Sequence, residues 1–170
     1  MVEEGAHMPG YHIRRQDKAI TDPGELEAVL LGQKLVTLAM CRDGEPYLAT
    51  MDYGYDPEVR AIFFHCADAG KKLEVLRANP RVWGQVVEDL GYIAGECDHA
   101  YRSVHFSGSV ELLSVPNDKR AALHLLLRKF EPEADVAKRT EMVERSLAKV
   151  VVGKVRVEAI SGKKSVPPKR

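Results

Sequence analysis

The residues of this chain best suited to chemistry lie in one run, Phe64-His65-Cys66-Ala67-Asp68-Ala69-Gly70-Lys71-Lys72-Leu73. A strand ends there, a loop of small residues turns at Gly70, and a helix begins with two lysines. Such a helix start is suited to a phosphate. Its first backbone N–H groups have no acceptor within the helix, the helix dipole adds positive potential, and Lys71 and Lys72 add full charge. Cations at a helix N-terminus otherwise work against the helix, so this pair points to a bound anion; the competing reading is a solvated helix start. A second candidate, Tyr101-Arg102-Ser103-Val104, opens a long strand, and the Ser103 hydroxyl can both donate to and accept from the edge of a heteroaromatic ring. The competing reading is a wet strand face. A third is the segment 47–55, where Thr50 and Met51 can lie against a flat cofactor. Cys97-Asp98-His99 is half of a metal site, but no second Cys/His pair completes it, and no metal is expected.

The elements that must position these residues follow from local signals. Asp22 before Pro23, with Glu25 behind, caps a helix over 23–31. Residues 35–41 and 47–55 flank Asp43-Gly44 as a hairpin, and 60–66 follows the Asp56-Pro57 turn as a third strand. A helix over 71–78 stops at Asn79-Pro80, and a strand runs from 81 to about 87. Residues 88–100 read as loop. From 101 to 113 apolar and polar residues alternate, with Val104, Phe106, Val110 and Leu112 on a core face and Ser103, His105, Ser107 and Ser109 on a polar one. Two amphipathic helices, 116–130 and 136–148, precede a last strand over 149–160, and 161–170 reads as an unpacked tail. Six or so strands in hairpins, with inserted helices, must curl or close to protect their edges, which makes a small antiparallel barrel the expected fold. A doubly wound nucleotide fold lacks its βαβ alternation and its glycine fingerprint here.

Length and composition narrow the function. The chain has 170 residues, enough for one domain with a real core. Twenty-five basic residues balance 25 acidic ones, so no global field favours nucleic acid, and any anion site is local. No apolar run reaches the roughly 20 residues of a membrane span. The N-terminus lacks the basic and apolar regions of a secretory signal, and the 3 cysteines match no disulfide framework. A cytoplasmic protein with reduced thiols and a small-molecule substrate is expected.

Taken together, Ile13-Arg14-Arg15, Gly44-Glu45-Pro46-Tyr47 leading to Gly54-Tyr55, Phe64-His65 through Gly70-Lys71-Lys72, Asn79-Pro80-Arg81-Val82, and Cys97 with Tyr101, Ser103 and Val104 form a series. It resembles the pyridoxamine 5′-phosphate oxidase-like flavoproteins, nearest to the branch with nitroimidazole-resistance (Nim-type) proteins. The resemblance covers 13–162, which defines a single FMN-binding domain between flexible tails at 1–12 and 163–170. It implies an antiparallel split β-barrel, mainly β with inserted helices, that forms a homodimer with FMN in a groove at the subunit interface. It places Lys71, Lys72 and Gly70 at the FMN phosphate, Thr50, Met51 and Asp52 beside the isoalloxazine, and Ser103 and Val104 against it from the facing strand. His65 matches a histidine that lies near the flavin in Nim-type relatives. Arg14 and Arg15 fit the family's basic N-terminal segment without an assigned contact, and His105 stands where small or apolar residues are usual. The loop carries Gly-Lys-Lys where an Arg often precedes the Lys, which keeps charge but loses a bidentate fork.

The implied activity is an FMN-dependent oxidoreductase that passes electrons or hydride from a nicotinamide donor to a small organic, nitro-aromatic-like substrate. The flavin supplies the redox chemistry, and His65 is the candidate catalytic proton donor. The alternative is a non-catalytic flavin-binding protein, or a split-barrel member that uses deazaflavin or haem, with His65, His99 or His105 as axial ligand. True pyridoxamine-phosphate oxidase activity is less favoured, because the resemblance lies with the shorter branch.

Overall fold

The computed structural model describes residues 13–166. Its seven strands are β1 (Ala19–Ile20), β2 (Leu35–Arg42), β3 (Glu45–Asp56), β4 (Ala61–Ala67), β5 (Arg81–Ile93), β6 (Asp98–Leu112) and β7 (Val150–Ser165). Helix α1 (Pro23–Gly32) precedes β2, α2 (Lys71–Ala78) links β4 to β5, and α3 (Pro116–Phe130) with α4 (Val136–Leu147) links β6 to β7.

All strand pairs are antiparallel, in the order β1-β7-β4-β3-β2-β5-β6, and a further β6–β7 pairing closes the sheet. Six strands therefore form a barrel without free edges, with β1 added on β7 where β4 has ended. Period-two alternation sends Val36, Leu38, Tyr53, Ile62, Phe64, Val86, Val104, Phe106 and Val155 inward, where Val29 and Leu30 of α1 and Val75 and Leu76 of α2 join them. A smaller cluster holds the α3–α4 hairpin on the outside, through Leu123, Leu126 and Val143 against Val152 and Phe63. At β3, a Cβ on Gly54 would sit 3.1 Å from the Leu125 side chain, so α3 rests directly on that strand.

Two glycines make room for aromatic rings inside the barrel. Gly84 pairs with Phe106 and Gly153 with Phe64, and a Cβ at these glycines would lie 1.9 and 2.3 Å from the facing ring. Both rings are fully buried. The Tyr53 hydroxyl donates to the Leu30 carbonyl at 2.5 Å, and the Lys129 ammonium lies 3.9 Å from the centre of its ring.

The structure corrects three expectations. Residues 88–100 are not a loop: β5 runs on to Ile93 and β6 starts at Asp98, with a bulge between Asp89 and Gly91 and a turn in which Gly95 and Cys97 have positive φ. The bulge breaks the alternation that marks a strand. The chain over 161–165 is not a tail: Gly162 packs on Leu26 and Ile20, Lys163 pairs with Ala19 and Ser103, and Ser165 donates to Asp98 at 2.9 Å. Barrel closure needs this stretch as the partner of β6, whatever its composition. Finally, Ser103 and Ser107 are buried rather than on a wet face, and the Ser103 hydroxyl is taken up by the Lys163 carbonyl. The expected tail over 1–12 lies outside the described residues. Among the described residues, no helix is long and apolar enough to cross a membrane.

Candidate functional site

The sequence-predicted anion site lies where β4 hands over to α2. Gly70 precedes the helix with φ of 118°, in a region L side chains rarely adopt, while a Cβ there would meet nothing within 4 Å. Glycine is thus required by the backbone turn and not by crowding. The Gly70 carbonyl accepts the amides of Leu73 and Glu74 at 3.0 and 3.2 Å. The amides of Lys71 and Lys72 have no acceptor among the described residues, and no side chain caps the helix. Free donors, an open approach and the positive end of the dipole therefore coincide with two cations.

The two lysines leave the helix in different directions. Lys72, half-buried, brings its ammonium 3.7 Å from the Met51 sulfur, and Lys71, exposed, lies 5.0 Å from the centre of the Tyr47 ring. Both reach the rim of β3, so the α2 start and the Tyr47–Met51 stretch form one basic edge. Burial pushes the Cys66 thiol up, and the charges of Lys72 and Arg77 oppose it, which places the Lys72 cation at the end of β4 as well.

Along β3 the side chains divide. Met51 faces the core at the rim, while Thr50 and Asp52 point outward with Leu48. The register extends Thr50 into a polar row across the outer sheet face: Thr50 opposite Thr37, Thr37 opposite Gln85, Gln85 opposite His105, His105 opposite Ser161. The Thr50 and Thr37 hydroxyls are 2.9 Å apart, and Gln85 Nε2 lies 3.4 Å from His105 Nε2. Thr37 and Gln85 escaped sequence reasoning, since only the register brings them into line.

The remaining candidates do not all converge. His65 is exposed at the end of β4, with no hydrogen-bond partner among the described residues, and it leaves the strand on the face opposite Phe64 and Cys66. Ser103 donates to the Lys163 carbonyl at 3.3 Å. The Val104 side chain is fully inside the core, so its place is to hold Ser103 and His105 outward. Ser103 lies on β6, three strand positions from β3, or roughly 14 Å at ordinary strand spacing. One protomer thus presents the Lys71–Lys72 edge and Ser103 at separate ends of a single sheet face. His99 Nε2 is 2.7 Å from Asp89, whose carboxyl is held low by that hydrogen bond and by the Gly91 amide. Among the described residues, no cluster of three or more His, Cys, Asp or Glu could hold a metal ion.

Solved structures share this architecture. A candidate 5-nitroimidazole antibiotic resistance protein from Bacteroides thetaiotaomicron matches at 24% identity over 85% of each chain, with a TM-score of 0.70. An FAD-binding protein from Mesorhizobium loti matches at 24% identity over 87% of this chain and 97% of its own, with a TM-score of 0.59. An FAD and haem binding protein from Mycobacterium smegmatis matches at 21% identity over 90% and 77%, with a TM-score of 0.70. At these identities the likeness establishes the split-barrel fold. No curated protein matches the chain. The family model described as pyridoxamine 5′-phosphate oxidase matches residues 22–164, most of the described chain, and with the closed antiparallel barrel and the Gly70-Lys71-Lys72 turn in place this protein belongs to that family.

Proposed function

We propose that this protein is an FMN-binding oxidoreductase, active as a homodimer, that transfers electrons or hydride from a nicotinamide donor to a small organic substrate. The observation that carries the reading is the uncapped α2 N-terminus with its two lysines, a phosphate cradle with open space above Gly70. The donor set suits a phosphate monoester: two free amides and two ammonium groups meet a dianion. FMN, when bound, supplies the two-electron redox chemistry.

The chain's own residues have distinct tasks in this reading. Lys71, Lys72 and the amides after Gly70 hold the phosphate. Thr50 and Asp52, on the outer face, border the ring, and Met51 supports them from the rim. Ser103, buried and donating to the Lys163 carbonyl, has no flavin contact in this reading, and the second copy covers the outer face beside Thr50 and Asp52. His65 is the proton donor: its ring nitrogens are not engaged by the described residues, and its strand end adjoins the cradle. Relatives described as FAD-binding proteins support a flavin in this fold.

The deciding experiment is the visible spectrum of the purified protein before and after FMN addition, followed by anaerobic NADH and NADPH. A flavin band that bleaches with a nicotinamide is the expected result. A persistent band reduces the reading to flavin binding alone, and a Soret band or absence of FMN binding removes the cofactor assignment. In the same assay, Lys71→Ala with Lys72→Ala should weaken FMN binding by roughly a hundredfold, the loss of two charge-assisted contacts.

A further inference from the structure

Three residues without a place in the flavin reading, Arg14, Arg15 and His105, meet in one cavity. It has a volume of about 360 Å³ and lies on the outer face of β6 and β7, where the segment before the 3-10 turn Gln16–Lys18 crosses the sheet; Ser161 and Lys163 complete its polar lining. This volume falls within the ordinary range for small-ligand pockets.

The charges of the cavity are one-sided. Among the described residues, no acidic residue lines it. Nearby cations are each matched: Lys18 with Asp98 at 3.3 Å, Lys164 with Glu25 at 2.6 Å, Arg102 with Glu88, and Arg15 itself by a two-point contact to Asp17. Arg14 and Lys163 alone of this group have no carboxylate partner among the described residues. Two unmatched cations facing one cavity, beside an imidazole and a hydroxyl, form the recognition set of an oxyanion.

We propose that this cavity binds the carboxylate or phosphate group of a small organic ligand, with Arg14 and Lys163 supplying charge and His105 and Ser161 hydrogen bonds. The site is separate from the Gly70-Lys71-Lys72 cradle, which lies at β4 and α2. His105 and Ser103 are two residues apart on the same face of β6, and the Ser103 hydroxyl donates to the Lys163 carbonyl. The oxyanion site does not rest on the flavin reading.

The test uses the full chain saturated with FMN, so that the phosphate cradle is filled, and titrates sodium phosphate and sodium benzoate separately in a zwitterionic buffer. The readouts are calorimetric affinity and the NMR shifts of the His105 ring, assigned with His105→Gln. Saturable binding of either probe that moves the His105 resonances is expected, and the tighter probe identifies the group as phosphate or carboxylate. Arg14→Gln with Lys163→Met should weaken that binding roughly tenfold or more while FMN affinity stays within about twofold. Arg14→Gln alone, outside the barrel strands, gives the same test with no risk to the fold. Absence of binding by both probes, binding undiminished in the variants, or a parallel loss of FMN affinity would overturn the proposal. If FMN does not bind, the titration is run on Lys71→Ala/Lys72→Ala; His105-linked anion binding there upholds the oxyanion site and leaves only the flavin reading refuted.

Discussion

At the scale of single residues, the two cradle lysines are not equivalent. Lys72 is half-buried against the Met51 sulfur, whereas Lys71 is exposed above the Tyr47 ring. A charge held in a partly desolvated setting contributes more than one free to move in water. Lys72→Ala should therefore weaken FMN binding by roughly tenfold or more and Lys71→Ala by roughly two- to fivefold, measured by quenching of flavin fluorescence. His105 gives a prediction in pH. Burial first, and then the Lys163 charge, hold its imidazole below the ordinary 6.5. Between that lower folded value and 6.5 the unfolded chain binds the proton and the folded chain does not, so stability is full above 6.5 and falls as pH drops through the window. Thermal melts from pH 7.5 to about pH 5 should show a steeper loss for the wild type than for His105→Gln. Equal slopes would show that His105 does not carry this dependence.

Among the elements, glycine-for-ring complementarity is the barrel's most demanding packing device. A methyl at position 84 would collide with the buried Phe106 ring from the paired strand. Gly84→Ala should cost about 1–3 kcal/mol in chemical denaturation, and Phe106→Leu added to it should restore part of the loss, giving a coupling energy absent between distant sites. Such pairs also mark the limit of what the residues reveal by themselves. Helices α1 to α4 lie within one or two residues of expectation because their determinants are local, such as the Asp22 side chain accepting from the Gly24 amide. The glycine turn with its two lysines was legible for the same reason, being contained in consecutive residues of strand end, turn and helix start. The strand over 161–165 and the upper half of the β5–β6 hairpin were not legible, because each is specified by its partner: Lys163 and Lys164 form a strand against Ser103 and Arg102, and Gly91 is accommodated by a bulge. The Thr50-Thr37-Gln85-His105 row needs the register of four strands, and the cavity at His105 needs the crossing of the N-terminal segment.

For the whole molecule, the outer face of β3, β2 and β5 is unlike an ordinary protein surface. Leu48, Leu35, Trp83 and Val87 flank the polar row, and Leu48 and Leu35 are 65% and 54% exposed. Apolar side chains in a contiguous sheet face, rimmed by polar groups, mark an interaction surface. The same face carries Thr50 and Asp52, so a two-fold pairing of this face with itself would cover the apolar residues and enclose a flavin bound beside Thr50 and Asp52. Leu48 is the sharpest probe: it sits opposite Ala39, itself opposite Trp83, and projects away from the core, so its replacement spares the barrel. Leu48→Glu should sediment as a monomer, keep the secondary structure of the wild type, and bind FMN roughly tenfold more weakly or worse, because the proposed pairing would cover the flavin on this face. Val59→Glu, in the turn between β3 and β4 and 52% exposed, is the matched control and should change neither mass nor affinity. A Leu48→Glu protein that stays dimeric and retains its flavin would place the interface elsewhere and require each protomer to hold the cofactor alone.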